Sequence, residues 1–211
     1  GGYTHLNFEY GYERFIGLFC GALIVSVINF LLHPKPPSAL INEKIILACE
    51  GIKEQLHLFS QQYEKDYFPD LNQTVRQEIN QAQALQFKQS HFIIGYKKKH
   101  NQLLPLLIRI NYLLSELHLN IYTLKTNQKT AAITDSLYDF FSVIILRLQT
   151  EQKYTAASLQ YRNLQNHHSL LELIKTDFNA MKETIPYTPQ SVKCIACLSS
   201  IIETAEKLAS L

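Results

Sequence analysis

The chain has 211 residues, 46% of them apolar, and carries 20 basic against 18 acidic residues for a net charge of +2. Length and composition suit one large or two small packed domains. The two signs alternate along the chain, so the broad cationic field that nucleic acid requires is missing and that class of partner is set aside. Four cysteines, Cys20, Cys49, Cys194 and Cys197, make no disulfide scaffold in a chain of this size and fit a reducing compartment. Glycine and proline number seven each, which leaves long runs free for helices. The only methionine is Met181, so Gly1 reads as a cut end with further sequence before it.

Near the front, the stretch Phe15–Leu32 holds eighteen residues without a charge, twelve of them Phe, Ile, Leu or Val. A secretory signal peptide begins basic, has a shorter apolar part and ends in small residues at a cleavage site, whereas this stretch runs into His33-Pro34-Lys35-Pro36-Pro37. A core helix of a soluble domain keeps a polar stripe, and only Ser26 and Asn29 are polar here. Eighteen residues at a helical rise of 1.5 Å cover roughly 27 Å, the thickness of a bilayer's hydrocarbon. The twelve large apolar side chains favour insertion by roughly 4 to 7 kcal/mol, more than one Asn and one Ser oppose. The stretch is therefore expected to span a membrane. Arg14 is the single basic residue before it, while Lys35, Lys44 and Lys53 come after it, so the downstream side is expected in the cytoplasm.

Gly17 and Gly21 form a G-x-x-x-G within the span, and the same row continues through Val25 to Asn29. Small residues let a second helix approach, and an Asn amide in hydrocarbon needs a partner that a lone helix does not provide. Arg14, Gly17, Gly21 and Asn29 are thus candidate packing residues. Their partners would be the lipid bilayer and other transmembrane helices of the same or a partner chain, a homo-oligomer included.

After the prolines, Ser38 is placed to cap a helix running to about Tyr63, with Ile41, Ile45, Ala48, Ile52, Leu56 and Phe59 in steps of four and three. Phe68-Pro69-Asp70 is expected to break it. A more polar helix covers roughly Leu71–Phe92, with Val75, Ile79, Ala82 and Leu85 inward. Gly95 and Pro105 should interrupt or bend the region after it. The row Leu103, Leu107, Ile110, Leu114, Leu117, Ile121, Leu124 alternates steps of four and three, a repeat that asks for near-antiparallel helical neighbours. Further helices are expected over about Lys129–Gln149, Glu151–Glu183 and, after Ile185-Pro186-Tyr187-Thr188-Pro189, Gln190–Leu211. No stretch sustains a period of two. The fold expected is all-α: an N-terminal transmembrane helix in segment 1–37, then a bundle of about five to six long antiparallel helices over 38–211.

Several constellations point towards chemistry and stop short of it. Cys194-x-x-Cys197 lacks the second Cys/His pair of a zinc site and the strand-to-helix setting of a redox motif, and at i and i+3 of an apolar helix it reads as two packed thiols. Glu54-x-x-His57 is half of a di-iron signature whose other half is missing. His167-His168 with Glu172 one turn on offers too few ligands for zinc and reads as a solvated face. A metal-dependent helical enzyme built on Glu54, His57, His167, His168 and Glu172 stands as a rival reading. Lys97-Lys98-Lys99-His100 reads as a solvated turn, with anionic lipid headgroups as the alternative. No phosphate loop, dinucleotide fingerprint, zincin or hydrolase motif occurs, so no enzyme, cofactor or metal is expected.

The order of these features resembles the bacterial aromatic acid exporter family, related to fusaric acid resistance proteins. An "ERFIG…G" segment opens a membrane helix with an Asn near its end, then come prolines and a long helical domain. "YKKKHNQLLPLLIRINYLL" is similar to the family's basic, Gln-containing entry into a Leu-rich helix, at Tyr96, Lys98, Gln102 and Leu103. "MKETIPYTPQSV" is similar to its Pro-centred turn before the last helix, at Ile185, Pro186 and Thr188. The resemblance covers most of the chain. It implies the last transmembrane helix and cytoplasmic domain of an inner-membrane efflux protein for aromatic carboxylates. Arg14, Gly17, Gly21 and Asn29 would then be helix-packing or pore-proximal residues. A single-span anchor presenting a helical scaffold is the alternative.

Overall fold

The computed structural model describes residues 4–32, 37–61, 67–89, 97–120, 128–153 and 160–211. Every regular element among them is a helix: α1 (Thr4–Leu32), α2 (Pro37–Gln61), α3 (Tyr67–Gln89), α4 (Lys97–Asn120), α5 (Gln128–Lys153), α6 (Gln160–Lys182) and α7 (Pro189–Ala209). The chain divides into two compact units, Gly1–Pro36 and Pro37–Leu211.

In the first unit, α1 is a single long helix. From Gly11 to Ile28 every residue is exposed, so no buried face distinguishes one side from another. Its Phe15 and Phe19 rings, one turn apart, stack with centroids 6.4 Å apart.

The second unit is a closed ring of six helices. Going round it, α2 packs on α3, α3 on α4, α4 on α7, α7 on α6, α6 on α5, and α5 back on α2, while α2 also touches α4 across the interior. The ring results from the apolar rows. Ile45, Ile52 and Leu56 of α2, Leu107, Ile110 and Leu114 of α4, and Ile133, Leu137 and Phe140 of α5 are all completely buried. Each such residue is worth about 1.5 to 3 kcal/mol relative to exposure, which is why the rows and not local propensity fix the faces. Phe140 and Phe141 meet edge to face in the interior at 5.6 Å. Lys44 and Glu78 pair at 2.8 Å between α2 and α3, both largely sheltered from solvent.

Several expected boundaries move. Proline begins helices here as well as ending them. Pro37 is the first residue of α2, so Ser38 lies inside the helix and does not precede it as a cap. Likewise Phe68-Pro69-Asp70 does not break a helix but forms the first turn of α3, where a missing N–H costs nothing and Asp70 suits the positive end of the helix dipole. Pro105 lies within α4, which continues through it, with the proline on an exposed side. Glu151 to Lys153 belong to the end of α5 and not to the next helix. Gly95, Ile121 and Leu124 lie outside the described residues.

The start of α7 shows its own chemistry. Thr188 caps it: the Thr188 hydroxyl accepts the Ser191 amide at 3.1 Å, and Ser191 Oγ accepts the Thr188 amide at 2.8 Å. Ser191 Oγ also donates to the Pro186 carbonyl at 2.7 Å, pinning the turn to the helix. Pro189 comes next, at the first helical position.

Candidate functional site

Two places in the described structure ask for a functional account: the surface of α1 and the polar groups buried inside the ring.

α1 contains the eighteen-residue window Gly11–Ile28 with a mean hydropathy of 1.6, and it is long and apolar enough to cross a membrane. Glu13 and Arg14 lie at its entrance. Nothing lies within 4 Å of where a Cβ would project at Gly17 or Gly21, so the glycine row is open surface on this helix. Arg14 is exposed on the turn preceding Gly17. Asn29 occupies the last turn of α1 with its side chain outside the described residues.

Inside the ring, three amides from three helices form one knot. Gln55 Nε2 of α2 donates to Asn111 Oδ1 of α4 at 3.0 Å. Asn72 Nδ2 of α3 reaches Gln55 Oε1, Asn111 Oδ1 and the Asn111 carbonyl, each at 3.0 Å. Asn111 Nδ2 returns a bond to the Asn72 carbonyl at 3.3 Å. A second buried amide, Asn42 Nδ2, donates to the Leu148 carbonyl at 3.2 Å and ties α2 to α5. Such groups persist in an interior because they are paired, and the pairing fixes which helix faces which. Spacing alone did not reveal these amides. Gln55 precedes Leu56 of the inward row and is buried with it.

Next to the knot, the Phe68 ring lies parallel to His118 with centroids 4.2 Å apart, and Phe59 tilts onto both. This aromatic group joins the last turns of α2 and α4 to the first turn of α3.

Among the described residues the metal-like motifs do not assemble. Glu54 is exposed, whereas His57, one turn on, is half-buried with its ring 5.4 Å from that of Tyr138. Lys53 sits over the same tyrosine at 5.0 Å. His168 is exposed on α6, and Glu172 is held by Lys175 at 3.2 Å. Lys175 also reaches Glu206 of α7 at 2.6 Å, and these bonds, that to Glu206 foremost, hold its ammonium above the usual range. His167 lies in α6 with its side chain outside the described residues. Among the described residues, no three His, Cys, Asp or Glu side chains gather as a metal site would require.

None of the four cysteines is in a disulfide. Cys49 and Cys194 are buried, and desolvation, with a smaller contribution from Glu50, pushes the Cys49 thiol up to about 12. Cys197 is partly buried and is also raised, by desolvation first and by Glu116 second. Thiols so disposed are poor nucleophiles and pack as small apolar groups. Lys97, Lys98, Lys99 and His100 form the first turn of α4, with their side chains outside the described residues.

Comparison with protein-family models, with curated proteins and with solved structures finds no match to this chain. The all-α architecture and the apolar first helix therefore stand on the geometry above.

Proposed function

We propose that this chain is the last membrane helix and the cytoplasmic helical domain of a bacterial inner-membrane efflux transporter for aromatic carboxylic acids. In this reading α1 crosses the bilayer beside other transmembrane helices, packed through Arg14, Gly17, Gly21 and Asn29. Residues 38–211 lie in the cytoplasm and serve assembly or gating, with no chemical conversion of the substrate. The observation that carries the reading is the uniform exposure of apolar side chains around α1, a surface that water penalises and lipid accepts.

The test has two parts. Membranes from cells making the full chain are washed with carbonate, and the chain is expected to stay with the lipid; its release into the wash would end the membrane reading. The native complex is then extracted and its mass measured, and export of a fluorescent aromatic acid is tracked in the same cells. A large multi-span assembly together with loss of export on disrupting the gene supports the transporter.

The second reading is a single-span anchor carrying a helical interaction scaffold. It is favoured by the closed ring of Pro37–Leu211, which completes its own core. Here Asn29→Leu leaves stability and assembly unchanged, whereas a helix docked among others loses assembly on the same change.

A further inference from the structure

Helix α4 carries two apolar rows. One is the buried row through Leu107 and Leu114. The other, Pro105, Ile108, Tyr112, Ser115 and Leu119, is interrupted by one polar residue, Ser115, and repeats the steps of three and four along the opposite side. Ile108, Tyr112 and Leu119 are 40%, 61% and 71% exposed. Scattered apolar residues on a surface are ordinary, but a row with a 3.5-residue repeat, about 21 Å long, is the shape a second helix fills.

α7 extends this surface. Glu116 lies near enough to Cys197 to act on its thiol, and Arg109 near enough to Glu203 to act on its carboxylate. Numbers rise on α4 as they fall on α7, so the two helices run antiparallel. That direction carries Val192, 43% exposed, towards the Leu119 end of the row.

The charges beside the row identify its occupant. Arg109 and Glu116 are seven residues apart, two helical turns, and so border the same side. When a helix pairs antiparallel with its own copy about a two-fold axis, each residue of one copy meets its counterpart reciprocally. An axis crossing the row near Tyr112 sets Arg109 beside Glu116 of the partner subunit, and the symmetric pair forms across the axis. We infer that the exposed face of α4, with Ile108, Tyr112 and Leu119 at its centre and Arg109 and Glu116 along its edge, is a two-fold interface between two copies of this chain. Within its own chain Glu116 already acts on the Tyr112 hydroxyl, its charge foremost, and holds it above the usual phenol range. A carboxylate keeps lone pairs for a guanidinium besides, and edge charges of this kind set partner and orientation in paired helices.

The full chain in detergent, weighed by light scattering with the detergent subtracted, tests this. The unaltered chain is expected to be a dimer. Arg109→Glu and Glu116→Arg, each folded by circular dichroism, should each weaken self-association at least about tenfold, because like charges then face each other at both ends of the axis. Mixing the two variants should restore the dimer, since every Glu then meets an Arg. Tyr112→Asp should give a monomer that mixing does not rescue. A monomeric unaltered chain, variants that dimerise undiminished, or a mixture that stays monomeric would each overturn the interface. Restoration on mixing is an outcome that neither misfolding nor a contact through α1 produces.

Discussion

Gln55 and Asn111 face each other at 3.0 Å, amide to amide, with Gln55 fully buried and Asn111 only 5% exposed. Asn72 bonds to both, so three helices share one knot. Removing Asn111 leaves the Nε2 of the fully buried Gln55 without its acceptor, while the half-buried Asn72 keeps access to water. Asn111→Ala is expected to lower the unfolding free energy by about 2 to 3 kcal/mol, because a buried unsatisfied group costs its full desolvation penalty. The paired change Gln55→Leu with Asn111→Leu should cost less than the sum of the single changes, as expected of coupled neighbours. Denaturant titration of the four proteins gives the coupling directly, and strict additivity would count against a shared network.

Gly51 sits where α2 and α3 approach each other. A Cβ built on it would lie inside the contact distance of Val75 Cγ2, and Val75 is itself buried. Alanine in a helix interior ordinarily gains about 0.5 to 1 kcal/mol over glycine. At this position overpacking of about 1 to 3 kcal/mol opposes that gain, and the short branched valine has no room to swing away. Gly51→Ala should therefore destabilise, and Gly51→Ala with Val75→Ala should recover part of the loss. A higher melting temperature for the single variant would contradict the close approach.

The raised Cys49 thiol has a consequence in alkali. With its folded value near 12 and its unfolded value near the ordinary 9, the unfolded chain releases the proton first as pH rises. Between those values the folded state binds more protons, so stability falls with pH, with a limiting slope of about 1.4 kcal/mol per unit. Cys49→Ala should flatten this part of the profile. In the native protein at pH 8, a thiol reagent should modify Cys49 only as fast as the fold opens.

At the head of α7, Thr188→Ala removes a hydroxyl that accepts the Ser191 amide. The expected cost is about 1 kcal/mol, and glycine in its place should cost only a few tenths. Hydrogen exchange at the first amides of α7 should accelerate in the alanine variant while those near Leu198 stay slow.

Much of the architecture was legible in the spacing of apolar residues. The inward row predicted on α2 is buried as expected from Ile41 through Leu56; on α7 an apolar row started at Val192 would miss the inner face, since Val192 is exposed and Cys194, Leu198 and Ile201 point inward. Periodicity marks a face but not its exact azimuth, which explains the shift. Helix ends were less legible because Pro37 and Pro69 stand in first turns, where proline is as much at home as in a break. The amide knot was not legible at all. Gln55, Asn72 and Asn111 lie on three helices, and only the ring's closure shows that they meet. Isolated polar residues in a sequence look solvated until their neighbours are known.

The ring also has an order in time. Helix α4, which carries a fully buried apolar row, packs against α7, yet roughly 70 residues separate the end of one helix at Asn120 from the start of the other at Pro189. At about 5 to 20 residues per second of synthesis, α4 waits on the order of 4 to 14 seconds for this cover. Throughout that interval the side of α4 that α7 will cover stays open on the nascent chain to chaperones or to a neighbouring copy on the same message. A stop codon anywhere before α7 would make that exposure permanent, so shortened products should be found in aggregates or with proteases and not as smaller folded domains.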